Sequence, residues 1–386
     1  MIKIGVVTLS NSTNFGGMLQ AYALSEALKK SEMIPIMLRY QDPSLAWNSV
    51  LQYLRLRKKL YGVNVIRMAG GSVKTLCSNI HYHQKKSKIK RFDKFRSNYL
   101  LMTPYCLTMD GLIDMSNMFD GYITGSDQVW NAEFTDNQLD PVYLLEFVPP
   151  NKPCFSYAAS VGGDKSTDYL MNLMTRIKRF EMISVREKSL ADGLNRLGKK
   201  KVLCHVDPVF LLTKTDWQAV EKEPNRKIPE HYILVYYLEK ATKGDSLIAK
   251  VIEKTHLPVI DISGTGILGD RRYIYDMAAG PQEFVYYLRH ADYIVTNSFH
   301  AVAFSVLFQT KFIACSREGQ ESRVRDFLEN IGLLDHLVAD IRCDSLFNEI
   351  PDDIEVLSKR VNEAYQYLKD IHDCIESGSE SEKSGK

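Results

Sequence analysis

The sequence predicts an α/β protein built from two Rossmann-like, doubly wound domains with a ligand cleft between them. Short apolar runs alternate with amphipathic helical patterns along most of the chain, as in parallel sheets covered by helices on both faces. Its 386 residues suit two domains at roughly 150 residues each. Polar clusters recur where apolar runs end, the place where open parallel sheets bind ligands. A content of 45% hydrophobic and 25% charged residues excludes disorder and fibrous repeats.

Residues 2–8 form the first strand, 11–17 supply turn chemistry with two glycines, and 18–28 are strong helix formers. Runs at 34–39, 121–124, 153–157, 182–185 and 202–206 complete a first sheet of about six strands. After Asp207-Pro208 a charged, proline-containing segment at 214–229 marks a boundary, giving an N-terminal domain over 1–213. The second domain, 214–350, takes strands at 232–238, 257–262, 293–296 and 311–315, with helices at 282–290, 301–308 and 323–331. A long amphipathic helix over 354–374 forms the segment 351–375, expected to pack back on the first domain. Residues 376–386, rich in Ser, Gly, Glu and Lys, are expected to be disordered.

A net charge of +2 hides an uneven distribution, since residues 51–96 carry thirteen Lys or Arg against one acid, Asp93. Within them Lys85, Lys86, Lys88, Lys90, Arg91, Lys94 and Arg96 surround Ile89, Phe92 and Phe95, the spacing of a basic helix with one apolar stripe. Such a surface suits peripheral contact with an anionic membrane or a phosphorylated acceptor, or serves only as a solvated face. Nucleic acid is not expected, because the chain is nearly neutral and lacks a recognition motif. No run reaches the ~18–20 uncharged apolar residues of a membrane span, and the opening Met1-Ile2-Lys3 is no export signal, so a cytoplasmic protein is expected, resting at most on the inner face of the membrane. Seven scattered cysteines without a C-x-x-C pair argue against a disulfide framework or structural zinc. Cys77, His81 and His83 lack a second pair of ligands, so no metal is expected.

Four segments concentrate polar chemistry. The first runs from Asn14 through Gly16 and Gly17 to Gln20, where glycines allow backbone amides to approach a ligand at a helix N-terminus. The second contains Ser126, Asp127, Gln128, Trp130 and Asn131: Asp127 is a candidate for proton transfer or a helix cap, Trp130 a sugar platform or core. The third joins Ser160 to Arg186, whose guanidinium at a strand end suits phosphate or carboxylate, or a salt bridge to Glu187. The fourth is Thr296-Asn297-Ser298-Phe299-His300, where His300 is the histidine best placed to titrate near neutrality in a cleft. Gly264-Thr265-Gly266-Ile267-Leu268-Gly269 matches a dinucleotide fingerprint but lacks the helix that should follow, and reads as a mobile loop.

These segments, with Asp207-Pro208-Val209-Phe210, resemble the polysaccharide pyruvyl transferase family in order and spacing across residues 3 to about 335. The resemblance implies a fold similar to B-type glycosyltransferases, with phosphoenolpyruvate as donor in the interdomain cleft and a sugar or lipid-linked oligosaccharide as acceptor. It implies ketal formation on two sugar hydroxyls with release of phosphate, in capsular or exopolysaccharide biosynthesis, with no cofactor or metal. The residues matching Arg186 and His300 are donor-site residues in that family. Some members carry arginine where this chain has Ser298, and Arg323 is the expected substitute. The expected site is therefore Arg186, Ser298, His300 and Arg323 for the donor, Asp127 for an acceptor proton, and Asn14, Gly16, Gly17, Gln20, Ser126, Gln128, Trp130, Asn131 and Ser160 along the acceptor cleft. Two alternatives share the scaffold: a glycosyltransferase using a nucleotide sugar, and a non-catalytic sugar or anion binder.

Overall fold

The computed structural model describes residues 1–40, 72–106, 109–135, 137–198, 200–239, 244–263, 272–315, 321–338, 349–351 and 353–384. The 264–269 loop, most of the basic stretch before residue 72, and the side chains of Cys77 and His81 lie outside the described part.

The first domain's strands are β1 (Ile2–Val7), β2 (Met33–Met37), β3 (Gly121–Thr124), β4 (Cys154–Ser156), β5 (Ile183–Val185) and β6 (Val202–Cys204). All pair in parallel, in the order β2-β1-β3-β4 followed by β5-β6. The expected single sheet is interrupted between β4 and β5, where isolated bridges Phe155–Met182 and Ala159–Val185 take over. Ala158, at φ 47°, turns the chain out of extended geometry there, and two serines make good the missing ladder bonds. Ser184 N donates to Ser156 Oγ at 2.9 Å, and Ala158 N donates to Ser184 Oγ at 3.1 Å.

The second domain holds β7 (Ile233–Tyr236), β8 (Val259–Asp261), β9 (Ile274–Tyr275), β10 (Tyr293–Thr296), β11 (Lys311–Cys315) and β12 (Leu337–Val338) in the order β12-β11-β10-β7-β8-β9. Two-residue β9 and β12 escape a reading based on apolar runs because each is too short to show a pattern. Read from its own first strand, this is the doubly wound dinucleotide order. Each sheet has a switch point where connections leave in opposite directions: β1/β3 in the first and β7/β10 in the second. Both put their loops at the carboxyl ends of the strands.

The core does not divide with the sheets. One apolar cluster runs from Leu19 and Tyr157 through Val209 and Trp217 to Phe304, Leu328 and Tyr367. Phe15, at the start of the Phe15–Lys30 helix, stacks on Phe284 of the second domain at 4.4 Å between centroids. The C-terminal helix Glu355–Ser384 crosses to the first domain, where Tyr367 Oη donates to Ser156 O at 2.8 Å and Ile375 lies against Gly121. This helix continues to Ser384, so the tail expected to be disordered is helical at least to that residue. Glu and Lys extend an already nucleated helix at little cost.

The apolar stripe of the helix Ser72–Tyr99 differs from the expected one. Phe92, Phe95 and Arg96 are buried, whereas Ile89 is 40% exposed. The buried line runs through positions 88, 92, 95, 96 and 99, and Lys88 lays its ammonium 4.2 Å over the ring of Phe15. Burial without a carboxylate beside it lowers the Lys88 pKa to about 8, opposed by the charge of Asp276.

His205, just past β6, stacks between Tyr157 and Tyr367 and shares a 2.7 Å hydrogen bond with Ser184 Oγ. Burial, reinforced by the charge of Arg360, lowers its pKa to about 4. The unfolded chain binds this proton near pH 6.5 and the folded one does not until about pH 4. The stability contribution is therefore complete above pH 6.5 and is lost as pH falls toward 4, by up to about 3 kcal/mol. Urea unfolding at pH 7 and pH 4.5 should show this loss, and His205→Gln should flatten it. An unchanged slope in the variant would place the acid sensitivity elsewhere.

Candidate functional site

The two switch points face one another across a cavity of about 250 Å³. From the first domain it is lined by Leu9, Ser12 and Asn14 after β1, and by Asp127 through Asn131 after β3. The second domain contributes Leu238 after β7, Ser298, Phe299 and His300 after β10, and Arg323 from the helix Glu321–Asn330. Asn297 ties the second switch point together: its Oδ1 accepts from Leu238 N at 2.8 Å and its Nδ2 donates to Glu239 O at 3.0 Å.

Local sequence explains each placement. Asn14 caps the first helix, its Oδ1 accepting from Gly17 N at 3.1 Å, and Ser298 caps the Phe299–Phe308 helix through Ala301 N at 3.4 Å. His300 is thereby the second residue of a helix that begins at the cavity wall. Its imidazole lies so close to Gly16 that a Cβ there would stand 2.1 Å from Nδ1, and only glycine admits the ring. Asp127 adopts φ 74°, a left-handed conformation that costs a non-glycine residue ~1–2 kcal/mol. It is held by Ser160 N donating to Asp127 O at 3.0 Å and by Trp130 N donating to Ser160 O at 3.1 Å. The terminal nitrogens of Arg323 lie 2.8 and 3.3 Å from the Gln128 side-chain amide, whose oxygen accepts from Asn131 Nδ2 at 2.9 Å.

Beneath His300 lies a buried charge network. His300 Nε2 is 3.4 Å from Asp207 Oδ2, an ion-pair distance without an aligned hydrogen bond. The same oxygen accepts from Arg186 Nη1 at 2.9 Å and from Ser126 Oγ at 3.3 Å, while Oδ1 accepts from Val209 N at 3.1 Å. Arg186 Nε donates to Glu187 Oε1 at 3.1 Å, and Ser160 Oγ donates to that oxygen at 2.8 Å. The Arg186 guanidinium also lies 4.2 Å over the Phe299 ring. Burial alone would raise the Asp207 pKa, but the His300 and Arg186 contacts outweigh it and hold the carboxyl well below the usual carboxylate range. Burial would likewise lower the Arg186 pKa, and the carboxylates of Glu187, Asp207 and Asp127 more than reverse this.

The structure thus brings Asp127, Gln128, Trp130, Asn131, Asn14, Ser298, His300 and Arg323 to one cavity and places Arg186, Gln20, Ser126 and Ser160 outside its wall. Arg186 is only 3% exposed, and the salt bridge set against a donor contact is what its two carboxylates make. It positions Asp207 and leaves the cavity wall to Arg323. Trp130 is 1% exposed with Nε1 donating to Tyr143 O at 3.0 Å, so it lines the cavity from within the core with its indole nitrogen already paired. Gln20 is buried behind the first helix, its Nε2 donating to Thr8 Oγ1 and Gly17 O at 2.8 and 2.9 Å. Ser126 and Ser160 are buried in the charge network. Asp207, which sequence reading treats as part of a boundary and family motif and not as a site residue, is the group on which both halves of the site converge. The signal was an acid three positions past the end of a strand and followed by proline, where it caps the turn Pro208–Leu211.

Comparison with known proteins agrees with the fold. The chain resembles the structure of UDP-N-acetylglucosamine 2-epimerase from Rickettsia bellii, with a TM-score of 0.52 at 11% identity, over 98% of this chain and 96% of that one. It also resembles a putative UDP-N-acetylglucosamine 2-epimerase from Listeria monocytogenes, with a TM-score of 0.50 at 10% identity, over 96% and 97% of the two chains. At such identities the likeness shows the fold, two Rossmann-like domains in the manner of B-type glycosyltransferases. No curated protein matches in sequence. The family model for polysaccharide pyruvyl transferases matches residues 14–319, from the glycine turn beneath His300 to the region just before Arg323, and the chain belongs to that family.

Proposed function

We propose that this protein transfers the enolpyruvyl group of phosphoenolpyruvate to two hydroxyls of one sugar, forming a pyruvate ketal in the synthesis of a surface polysaccharide. The convergence of His300, Asp127 and Arg323 on one cavity, in a chain of this family, carries the reading. One sugar hydroxyl adds to C2 of the donor while a proton is delivered to C3, which becomes the methyl group. The second hydroxyl then displaces phosphate at C2 and loses its proton, so a diol and phosphoenolpyruvate give the ketal and inorganic phosphate.

His300 gives a proton to C3 and regains one from the second hydroxyl, with Asp207 as the counter-charge of the imidazolium across the 3.4 Å gap. Asp127 takes the proton of the acceptor hydroxyl. Arg323, on the cavity wall beside Gln128, meets the charge of the departing phosphate, so the reading needs neither metal nor organic cofactor. A lipid-linked acceptor at the inner membrane face suits the basic charge of residues 51–96.

The test is mass spectrometry of candidate acceptors incubated with protein and phosphoenolpyruvate, alongside phosphate release and thermal shift. An added pyruvyl ketal, stabilisation by phosphoenolpyruvate and loss of phosphate release in His300→Ala are expected. Stabilisation by UDP-N-acetylglucosamine alone, or phosphate release that survives His300→Ala, would overturn the reading.

A further inference from the structure

Among the described residues every phenylalanine but one is buried or half-buried. The exception is Phe134, 43% exposed, and it lies on the wall of the cavity that also holds His300 and Arg323. A lone apolar residue on an open surface carries no message, but a ring left uncovered in a concave site is available to a ligand. Trp130, four positions earlier on the same wall, is closed off in the core, so Phe134 is the aromatic face that a bound molecule can reach.

The backbone that carries this ring is braced from several sides. Asn131 caps the single turn Ala132–Phe134, its Oδ1 accepting from Glu133 N at 3.2 Å. Asn137 N donates to Ala132 O at 2.9 Å and closes the chain behind the turn. Lys165 Nζ meets Glu133 Oε1 at 2.6 Å, and Ala132 N donates to Tyr169 Oη at 3.3 Å, which ties the turn to the segment after β4 and to the helix Thr167–Arg176. A ring presented on a fixed turn costs a ligand little ordering entropy. The same wall sets the charge of what can lie there. Its described lining residues from the first domain include two carboxylates, Asp127 and Asp140, and no Lys or Arg, while His300 and Arg323 come from the second domain. Asp140 is buried and fixed, its Oδ1 accepting from Val142 N at 2.8 Å and its Oδ2 from Tyr40 Oη at 3.1 Å.

We propose that Phe134 is the platform for the acceptor, an uncharged pyranose that lays one apolar C–H face on the ring and turns hydroxyls toward Asp127 and Asp140. Carboxylate oxygens accept from sugar hydroxyls, whereas an acid group brought against them is repelled and loses its hydration. The first-domain wall therefore selects neutral sugars over uronic acids. This assignment rests on the enzymatic reading for calling the sugar an acceptor, but its binding requires no donor.

Titration of the full chain with methyl glycosides of neutral hexoses and N-acetylhexosamines, against methyl glucuronide, tests it by calorimetry and saturation-transfer NMR without phosphoenolpyruvate. Saturable binding of at least one neutral glycoside is expected, with the glucuronide at least about tenfold weaker. Phe134→Ala should weaken the neutral sugar by about tenfold, and Phe134→Trp should restore it, with the new indole's emission shifting as sugar is added. Because the ring is exposed, the melting temperature of Phe134→Ala should stay within about 2 °C of the wild-type value. A larger fall would show a packed ring and overturn the proposal. So would a glucuronide that binds as tightly as the neutral sugars, binding unchanged in Phe134→Ala, or no saturable binding of any sugar. Neutral-sugar binding that depends on Phe134, without phosphate release from added phosphoenolpyruvate, would leave this assignment standing and sink the enzymatic reading alone.

Discussion

Asp207→Asn is expected to abolish turnover and to destabilise the protein by about 3–5 kcal/mol, the cost of removing one partner from a buried ion pair. Asp207 is fully buried, and its Oδ2 faces Arg186 Nη1 at 2.9 Å and His300 Nε2 at 3.4 Å. The asparagine keeps the shape but not the charge. Arg186 is then balanced by Glu187 alone, and the imidazolium formed during proton transfer has no counter-charge. Since the Asp207 pKa is depressed in the folded state, its contribution is present above the unfolded carboxyl value of about 4 and is lost as pH falls below that value. Urea unfolding at pH 7 and phosphate release together check the prediction. Wild-type stability in the variant would mean that the carboxylate carries no charge in the network, and wild-type turnover would detach it from His300.

Gly16→Ala should cost about a hundredfold in turnover with the fold intact. In an ordinary helix this change stabilises by about 1 kcal/mol, because alanine has the smaller backbone entropy loss. Here the new methyl would stand 2.1 Å from His300 Nδ1 and 2.4 Å from Cγ, so the ring must move by an ångström or more. A displacement of that size is enough for a loss of this order when proton transfer depends on alignment. The double variant with His300→Ala supplies the control: without the ring the methyl has room, and Gly16→Ala should then be harmless or stabilising. An equal further loss in the His300→Ala background would show that Gly16 acts through something other than the imidazole.

The buried network also accounts for a division of labour that a single sequence hides. Arginine, histidine and aspartate residues distributed over the chain can be read as separate ligand groups, but three of them are committed to one another before any substrate arrives. Arg186 holds Asp207, Asp207 faces His300, and His300 faces the cavity. Arg323 and Asp127 remain on the cavity wall. An ion pair of this kind adds little net stability, since desolvation of the charges offsets their attraction, and what it secures is the orientation of the imidazole.

The alternation of apolar runs and helical patterns determined the parallel, doubly wound architecture, because a strand buried on both faces and a half-buried helix each leave a period in the residues themselves. It also put polar residues at strand ends, so it was legible without any contact being known that Asp127, Ser298 and His300 would meet at one cleft. The interruption at Ala158, the short strands β9 and β12, and the outward turn of Ile89 were not legible, since each depends on what packs against the segment and not on its own pattern. Only the tertiary structure decided between the two readings of Arg186 and of Trp130. A guanidinium or an indole at a strand end suits a ligand or a buried partner equally well. The choice is made by a carboxylate 21 positions further along the chain in one case, and a carbonyl 13 positions along in the other.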